Sequence, residues 1–551
     1  MDKTLTRRNF LSLRREAVAP APAPRRVTSG LTPYSGPWTK RQALHLLRRT
    51  LFGAKKQEVL DTLDLGGPFA AVNALMTTGT PPPPPVNNYN SDRASDPAVP
   101  FGETWVNAPF SNDFEYARYI SLKGWWLEKM MQQAPTLEEK MVLFWHNHLA
   151  TQAGGVFNAR MWYRHLVTLR QHALGNFKDM VRAITIDPLM LIYLNGAFSQ
   201  AGAPDENYAR ELQELFCIGK GPNANFSEED VQAAARALTG WRVDWDNLSS
   251  FFEPYFHDTT DKTFSSFYGS RVINGKTGEA GAEELDELLD MIFDNPETAL
   301  FICRKLYRFF IYREISEQAE QEVIEPLADI FRSSGYEIRP VLETLLRSEH
   351  FYDEENIAAV IKSPLDHIVG IIREYNIAFP DTTQLSDGYT LRMYIWYNLL
   401  VLLQDPGDPP NVAGWPAWYQ APQFDRYWIS TDTLPRRAEF SDAMLFYGYS
   451  TDNFVVQIDT VAYTASMDNP LDPNALIDEA LLRATDMEVS AESRQTLKSI
   501  LLSGQLSDYY WSSAWYDYTL EPSNGMKRFV VESRLKVFYK YLMQLEECQL
   551  M

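Results

Sequence analysis

Cysteine is scarce in this 551-residue chain: Cys217, Cys303 and Cys548 are its only three, far apart and odd in number. That pattern excludes a disulfide framework and a closely spaced cysteine zinc site. Positive charge is also short. Asp and Glu outnumber Lys and Arg by 72 to 51, the net charge is −21, and no basic run stands beyond the first 26 residues. A nucleic-acid binder needs cations to neutralise phosphates and release counterions, so this balance argues against nucleic acid as a partner. No apolar run reaches the ~18 residues of a membrane span. Several catalytic signatures are missing as well. There is no Gly-x-Ser-x-Gly elbow and no His-Glu-x-x-His helix. Gly275-Lys276-Thr277 has Ser270 where a phosphate loop needs its first glycine, and no clear buried strand precedes it.

What is present is ordinary in bulk and rich in rings. Hydrophobic residues make up 45% and charged residues 22%, with 14 Trp, 28 Tyr and 30 Phe. Large rings fill cores, or else form a stacking surface for sugars or peptides. The length suggests two to four domains or lobes at ~150 residues each. Thr6-Arg7-Arg8-Asn9-Phe10-Leu11 looks like a twin-arginine export signal, but Ser12-Leu13-Arg14-Arg15-Glu16 stands where an apolar stretch should follow. The segment 1–37 therefore reads as a basic, Pro-rich, flexible tail carrying a degenerate signal. The location is the cell envelope if that signal works and the cytoplasm if it does not.

Helical periodicity dominates the rest, so the fold class is mainly α-helical, a large multi-helix globular protein with few short strands and long Pro- and aromatic-rich loops. Thr136 with Glu139 forms a capping-box pattern that predicts a helix over 137–149. Asp205 predicts one over 206–218, and Ser227 with Asp230 another running to Thr239. Asn295-Pro296 and Ser363-Pro364 each place a cap and a first-turn proline. Strand signals are confined to 241–243 and 251–268. Turn chemistry fills Asp405 to Asn411, and the block 412–418 cannot be a regular helix. These signals divide the chain into the tail, a helical core region over 38–440 and a C-terminal helical region over 441–551.

Several blocks in order, among them MVLFWHNHLA (141–150), ENYARELQELFCIG (206–219), FSEEDVQAAARALTGW (226–241), FICRKLYRFF (301–310) and PNVAGWP (410–416), resemble the bacterial family catalogued as domain of unknown function 1800. That family is uncharacterised, so the resemblance implies no chemistry. Its members resemble exported proteins encoded beside a sulfatase-like protein, which the resemblance offers as a possible partner.

Three polar clusters are candidates for chemistry. In the first, His146 and His148 are two apart, so on a regular helix they point about 200° apart and cannot share one ion unless the helix ends there. His148 otherwise falls on an apolar stripe with Leu137, Met141, Phe144 and Trp145. In the second, Glu211 and Glu214 share a face beside an apolar one, where buried carboxylates serve as metal ligands or general bases. They could equally pair with Arg210. In the third, His257 and Asp258, with Lys262 nearby, could orient a general base in a loop.

Two functions remain open. One is a metal-assisted, hydrolase-like enzyme, with His146, His148, Glu211 and Glu214 as ligands of zinc, iron or manganese and with Glu211, His257 and Asp258 doing acid–base work. The other is a non-catalytic cell-envelope or assembly protein that binds a protein or polysaccharide partner. An open cleft ringed by these residues favours the first, and their burial in separate cores favours the second.

Overall fold

Side-chain caps start many of the helices, and most start where the sequence places them. In the computed structural model, which describes residues 29–91, 94–381 and 383–551, Ser227 and Asp230 close a full capping box on the helix Glu228–Ala237. Asn295 caps Pro296–Phe310, and Ser363 with Asp366 caps Pro364–Glu374. Each cap satisfies amide groups that the first turn leaves without an intrahelical partner. The expected box at Thr136 does not form. The helix Glu138–His148 starts without a side-chain cap, because Glu139 turns inward to accept from Arg170 at 2.6 Å and from Trp126 at 3.2 Å. A charge-assisted bond to a buried guanidinium outweighs a neutral cap.

The protein is mainly α-helical, as its periodicity predicts. Among the described residues, strands form only two-stranded antiparallel ribbons. The longest pairs Trp241–Asp244 with Ser249–Phe252, Trp241 standing opposite Phe252. The helix Glu115–Gln132 packs on Leu385–Val401, on Pro364–Glu374 and on Ala159–Gln171, which in turn packs on Glu138–His148. The C-terminal helix Gly525–Gln544 lies against Thr433–Phe446, Ala491–Leu501 and Tyr509–Leu520. Apolar side chains from both sides of residue 440 join one buried cluster. Ile361 also bridges to Leu550.

Residues 29–37, which the sequence places in the tail, run along the turn near Ser348: Pro33 bridges to it, and the Tyr34 N–H donates to the Arg347 carbonyl at 2.8 Å. The twin-arginine-like segment lies outside the described residues. No helix among those described is long and apolar enough to cross a membrane.

Candidate functional site

The segment His146-Asn147-His148 closes its helix in regular geometry, and the two imidazoles diverge as the spacing requires. His146 is buried between Trp126 and Trp415, with ring centroids 5.2 and 5.7 Å away. The Gly407 N–H donates to its Nε2 at 3.2 Å, so the lone pair that could bind a metal is already used. Burial, with His165 and Lys123 nearby, pushes its pKa down to about 3. His148 faces another way. Its Nε2 lies 2.9 Å from the Phe216 carbonyl. A carbonyl only accepts, so Nε2 carries the proton and the lone pair belongs to Nδ1. That Nδ1 is buried without a protein partner. Burial, reinforced by the Lys305 charge, holds the ring well below the usual histidine range and therefore neutral.

The Phe216 carbonyl is available for a local reason. The predicted helix over 206–218 is α-helical only over Asn207–Glu211 and widens to a π-helix over Leu212–Cys217. There the Ile218 N–H reaches five residues back to Gln213. Phe216 lies in the last turn, whose carbonyls have no amide ahead to bond, and His148 takes one of them.

The loop after Asp405 is moulded onto the same helix end. Lys123 holds its start, bonding Asp405 and lying 2.8 Å from Asp408 Oδ2. Asn147 Oδ1 accepts from the Trp415 N–H at 2.8 Å. Gly407 and Gly414 both have positive φ. A Cβ at Gly407 would stand 2.2 Å from the Trp162 ring, and one at Gly414 2.2 Å from Asn147 Oδ1. Only glycine permits that backbone at that distance. Two blocks far apart in sequence, the His-Asn-His segment and the Pro410–Pro416 loop, are thus one structural unit.

The other expected site residues lie elsewhere. Glu214 pairs with Lys220 at 2.6 Å and with Arg210 at 3.8 Å. Half-buried Glu211 is raised above the usual carboxylate range by burial and by Glu214. No hydrogen bond or ion pair joins either carboxylate to His146 or His148 among the described residues. His257 does have a carboxylate partner, but it is Glu284 at 3.1 Å and not Asp258. Its Nδ1 lies 2.9 Å from the Thr239 carbonyl. Lys262 pairs with the other Glu284 oxygen at 2.5 Å. Asp258 instead accepts from the Thr260 N–H at 2.8 Å, in a local turn. Against burial, which raises it, these contacts hold the Glu284 carboxyl below its usual range. Among the described residues no three His, Cys, Asp or Glu side chains gather in a metal-holding group. The three clusters do not converge.

What converges instead is a cavity at the end of the His-Asn-His helix, with about 610 Å³ of empty space including its open mouth. Asn147 and His148 line it, with Lys305 and Arg308 from the helix Pro296–Phe310. Phe144, Phe309, Trp418 and Phe424 give it apolar walls. Two ion pairs also border it: Lys140 with Asp366, both buried, and Arg313 with Asp425 at 3.1 Å. Burial beside Arg308 pushes the Lys305 ammonium down to about 8.

Sequence reasoning missed Lys305, Arg308 and Glu284. Lys305 and Arg308 left a signal: they are three apart inside an apolar helical pattern, and no Asp or Glu stands three or four residues from either.

The fold and site define a class, a large helical protein whose histidine-helix end, basic helix and glycine-bearing loop enclose a cationic cavity. The chain belongs to the family described as Protein of unknown function (DUF1800), whose model matches residues 45–530. The resemblance carried by the motif blocks is borne out, and the match runs into the C-terminal region, where no motif stood out. No curated protein and no solved structure matches the chain.

Proposed function

We propose that the protein is an enzyme acting on a small molecule held in this cavity, with His148 as the proton acceptor. The observation that carries the reading is the state of His148: neutral, fixed through Nε2 by the Phe216 carbonyl, and left with an unpartnered Nδ1 in a residue that lines the cavity. A neutral imidazole oriented by a carbonyl and keeping one free lone pair, its basicity lowered by burial and by the Lys305 charge, can take a proton from a nucleophile such as water once a bound anion offsets that charge. This supports the hydrolytic part of the sequence expectation. The metal-assisted form, with zinc, iron or manganese on His146, His148, Glu211 and Glu214, asks more. His146 would have to give up its bond to Gly407, and the two glutamates would have to cross to the histidines.

The non-catalytic alternative has separate support in the exposed apolar side chains of the C-terminal helices, such as Tyr509, Leu520, Met526 and Phe529, each more than half exposed. A protein or polysaccharide partner would cover such a face.

The test is metabolite profiling by mass spectrometry, with a small-molecule extract incubated with the protein or with its His148→Gln variant. Glutamine keeps an amide donor for the Phe216 carbonyl and removes the base. The enzyme reading expects a metabolite consumed by the wild type and left intact by an equally stable variant. Identical profiles for both proteins would overturn it and favour the non-catalytic alternative.

A further inference from the structure

Charge in the cavity does not balance. Its two side-chain carboxylates, Asp366 and Asp425, are each taken by a cation of their own, Lys140 and Arg313. Lys305 and Arg308 are left over. Among the described residues no carboxylate, side-chain or terminal, lies within ion-pair distance of either. The Lys305 ammonium lies 5.2 Å from the centre of the Phe301 ring. The Arg308 Nε donates to the Arg313 carbonyl at 3.3 Å, and its guanidinium lies 5.2 Å from the centre of the Phe424 ring. Among the described residues, no hydrogen bond runs from the Lys305 ammonium or from the terminal N–H groups of Arg308 to a protein acceptor. Their neighbour on the same helix, Arg304, is treated differently: it bonds both Glu297 and Glu320.

This arrangement costs stability. Two like charges three residues apart on a helix repel one another, and both are partly withdrawn from water. Elsewhere in this acidic chain, buried Lys123, Lys262, Arg118 and Arg170 each have a carboxylate, while buried Arg437 bonds the Lys362 carbonyl instead. Cations kept together without counter-charge in a cavity are a functional feature when a ligand supplies that charge.

We propose that Lys305 and Arg308 bind the oxyanion head, a carboxylate, phosphate or sulfate, of a small ligand whose apolar body lies against the aromatic walls. The inference rests on the reading of this cavity as the working site. Arg308 supplies the forked donor that fits two oxygens of such a head, and Lys305 supplies a point charge beside it. Asn147 adds a neutral donor. Its Oδ1 is committed to the Trp415 N–H, which leaves its Nδ2 group without a protein acceptor among the described residues. Phe144, Phe309, Trp418 and Phe424 give the remainder of the ligand an apolar surface at the open mouth of the cavity. His148 lines the same cavity as these two cations.

The experiment is calorimetric titration of the full chain at constant ionic strength with phenylacetate, phenyl phosphate, phenyl sulfate and the neutral phenylacetamide. Lys305→Met and Arg308→Met are titrated alongside, with melting curves to confirm their folding. The difference in fluorescence quenching between the wild type and a Trp418→Phe variant reports whether the probe occupies this cavity. The proposal expects at least one of the three anions to bind and quench Trp418, with affinity at least tenfold weaker in each folded variant and no comparable binding of the amide. Which anion binds identifies the head. Binding of every anion with equal affinity to wild type and variants overturns the proposal. So does failure of all three anions to bind the wild type. If the anions fail while the His148→Gln comparison still reveals a consumed metabolite, this inference falls and the proposed function stands. If both fail, the cavity is not the working site.

Discussion

Two regions of this molecule carry a histidine beside a lysine, and they treat charge in opposite ways. Around His257, Lys262 and the imidazole share the buried Glu284 carboxylate, and the second ring nitrogen faces a backbone carbonyl. Around His148, Lys305 forms no ion pair with a carboxylate among the described residues, and the imidazole keeps an unpartnered nitrogen. The first cluster is paired by charge, although His257 Nε2 and one Glu284 oxygen lack hydrogen-bond geometry, and it ties the 254–263 segment to the helix Glu284–Asp294. The second is open and borders a cavity. Satisfied polar networks rigidify a core, while unsatisfied ones are retained at a cost where a ligand completes them.

If the His257 cluster is structural, removing its shared charge should have the largest effect on stability. Glu284→Gln leaves Lys262 buried without its counter-charge, and we expect a loss of about 3–5 kcal/mol in denaturant unfolding. A change below ~1 kcal/mol would mean that the cluster does not hold the fold. The next effect concerns the loop that shapes the open region. Gly414→Ala introduces a Cβ at positive φ and against Asn147, and should cost about 1–3 kcal/mol. Hydrogen exchange should then rise over residues 405–418 more than around His257. Equal rises in both regions would break the coupling between the loop and the His-Asn-His segment.

A third prediction concerns a buried neutral histidine. His45 is held well below the usual histidine range by burial and by Arg49, although its bond to the Phe351 carbonyl acts the other way. The unfolded chain takes up a proton near pH 6.5 and the folded chain only at lower pH, so this group withdraws stability as pH falls below about 6.5. It should account for about 1 kcal/mol between pH 7 and 5.5. His45→Gln should therefore melt with a shallower pH dependence than the wild type over that window, and parallel curves would contradict the assignment. The smallest effect has the opposite sign. Lys305→Met removes an uncompensated cation, so it should leave stability unchanged or raise it by less than about 1 kcal/mol. Clear destabilisation would mean that Lys305 has a structural partner.

Much of the fold was legible in the sequence because its signals are local. Ser227 with Asp230, Asn295-Pro296 and Ser363-Pro364 mark helix starts that depend on neighbouring residues alone. The failed box at Thr136 illustrates the limit, since Arg170 takes Glu139 from a distant helix. The π-helical turn at Leu212–Cys217 was also hidden, and with it the carbonyl that orients His148. The site was legible in part. Angular spacing foretold that His146 and His148 diverge. It could not tell which of them lines a cavity, because that depends on Gly407 and Gly414 bringing a distant loop against the helix end. Asp258 was chosen beside His257 by adjacency, and folding supplied Glu284 instead. Carboxylate partners of this kind come from tertiary packing, which spacing does not encode.

Among the described residues, no carboxylate side chain forms an ion pair with the Lys305 and Arg308 charges in the cavity beside His148. Bromide-soaked crystals test it most directly, through anomalous scattering. A bromide peak is expected in contact with the Lys305 ammonium and the Arg308 guanidinium, and none at the Glu284 cluster. Peaks elsewhere on the protein with an empty cavity, or a peak at Lys262 instead, would contradict it.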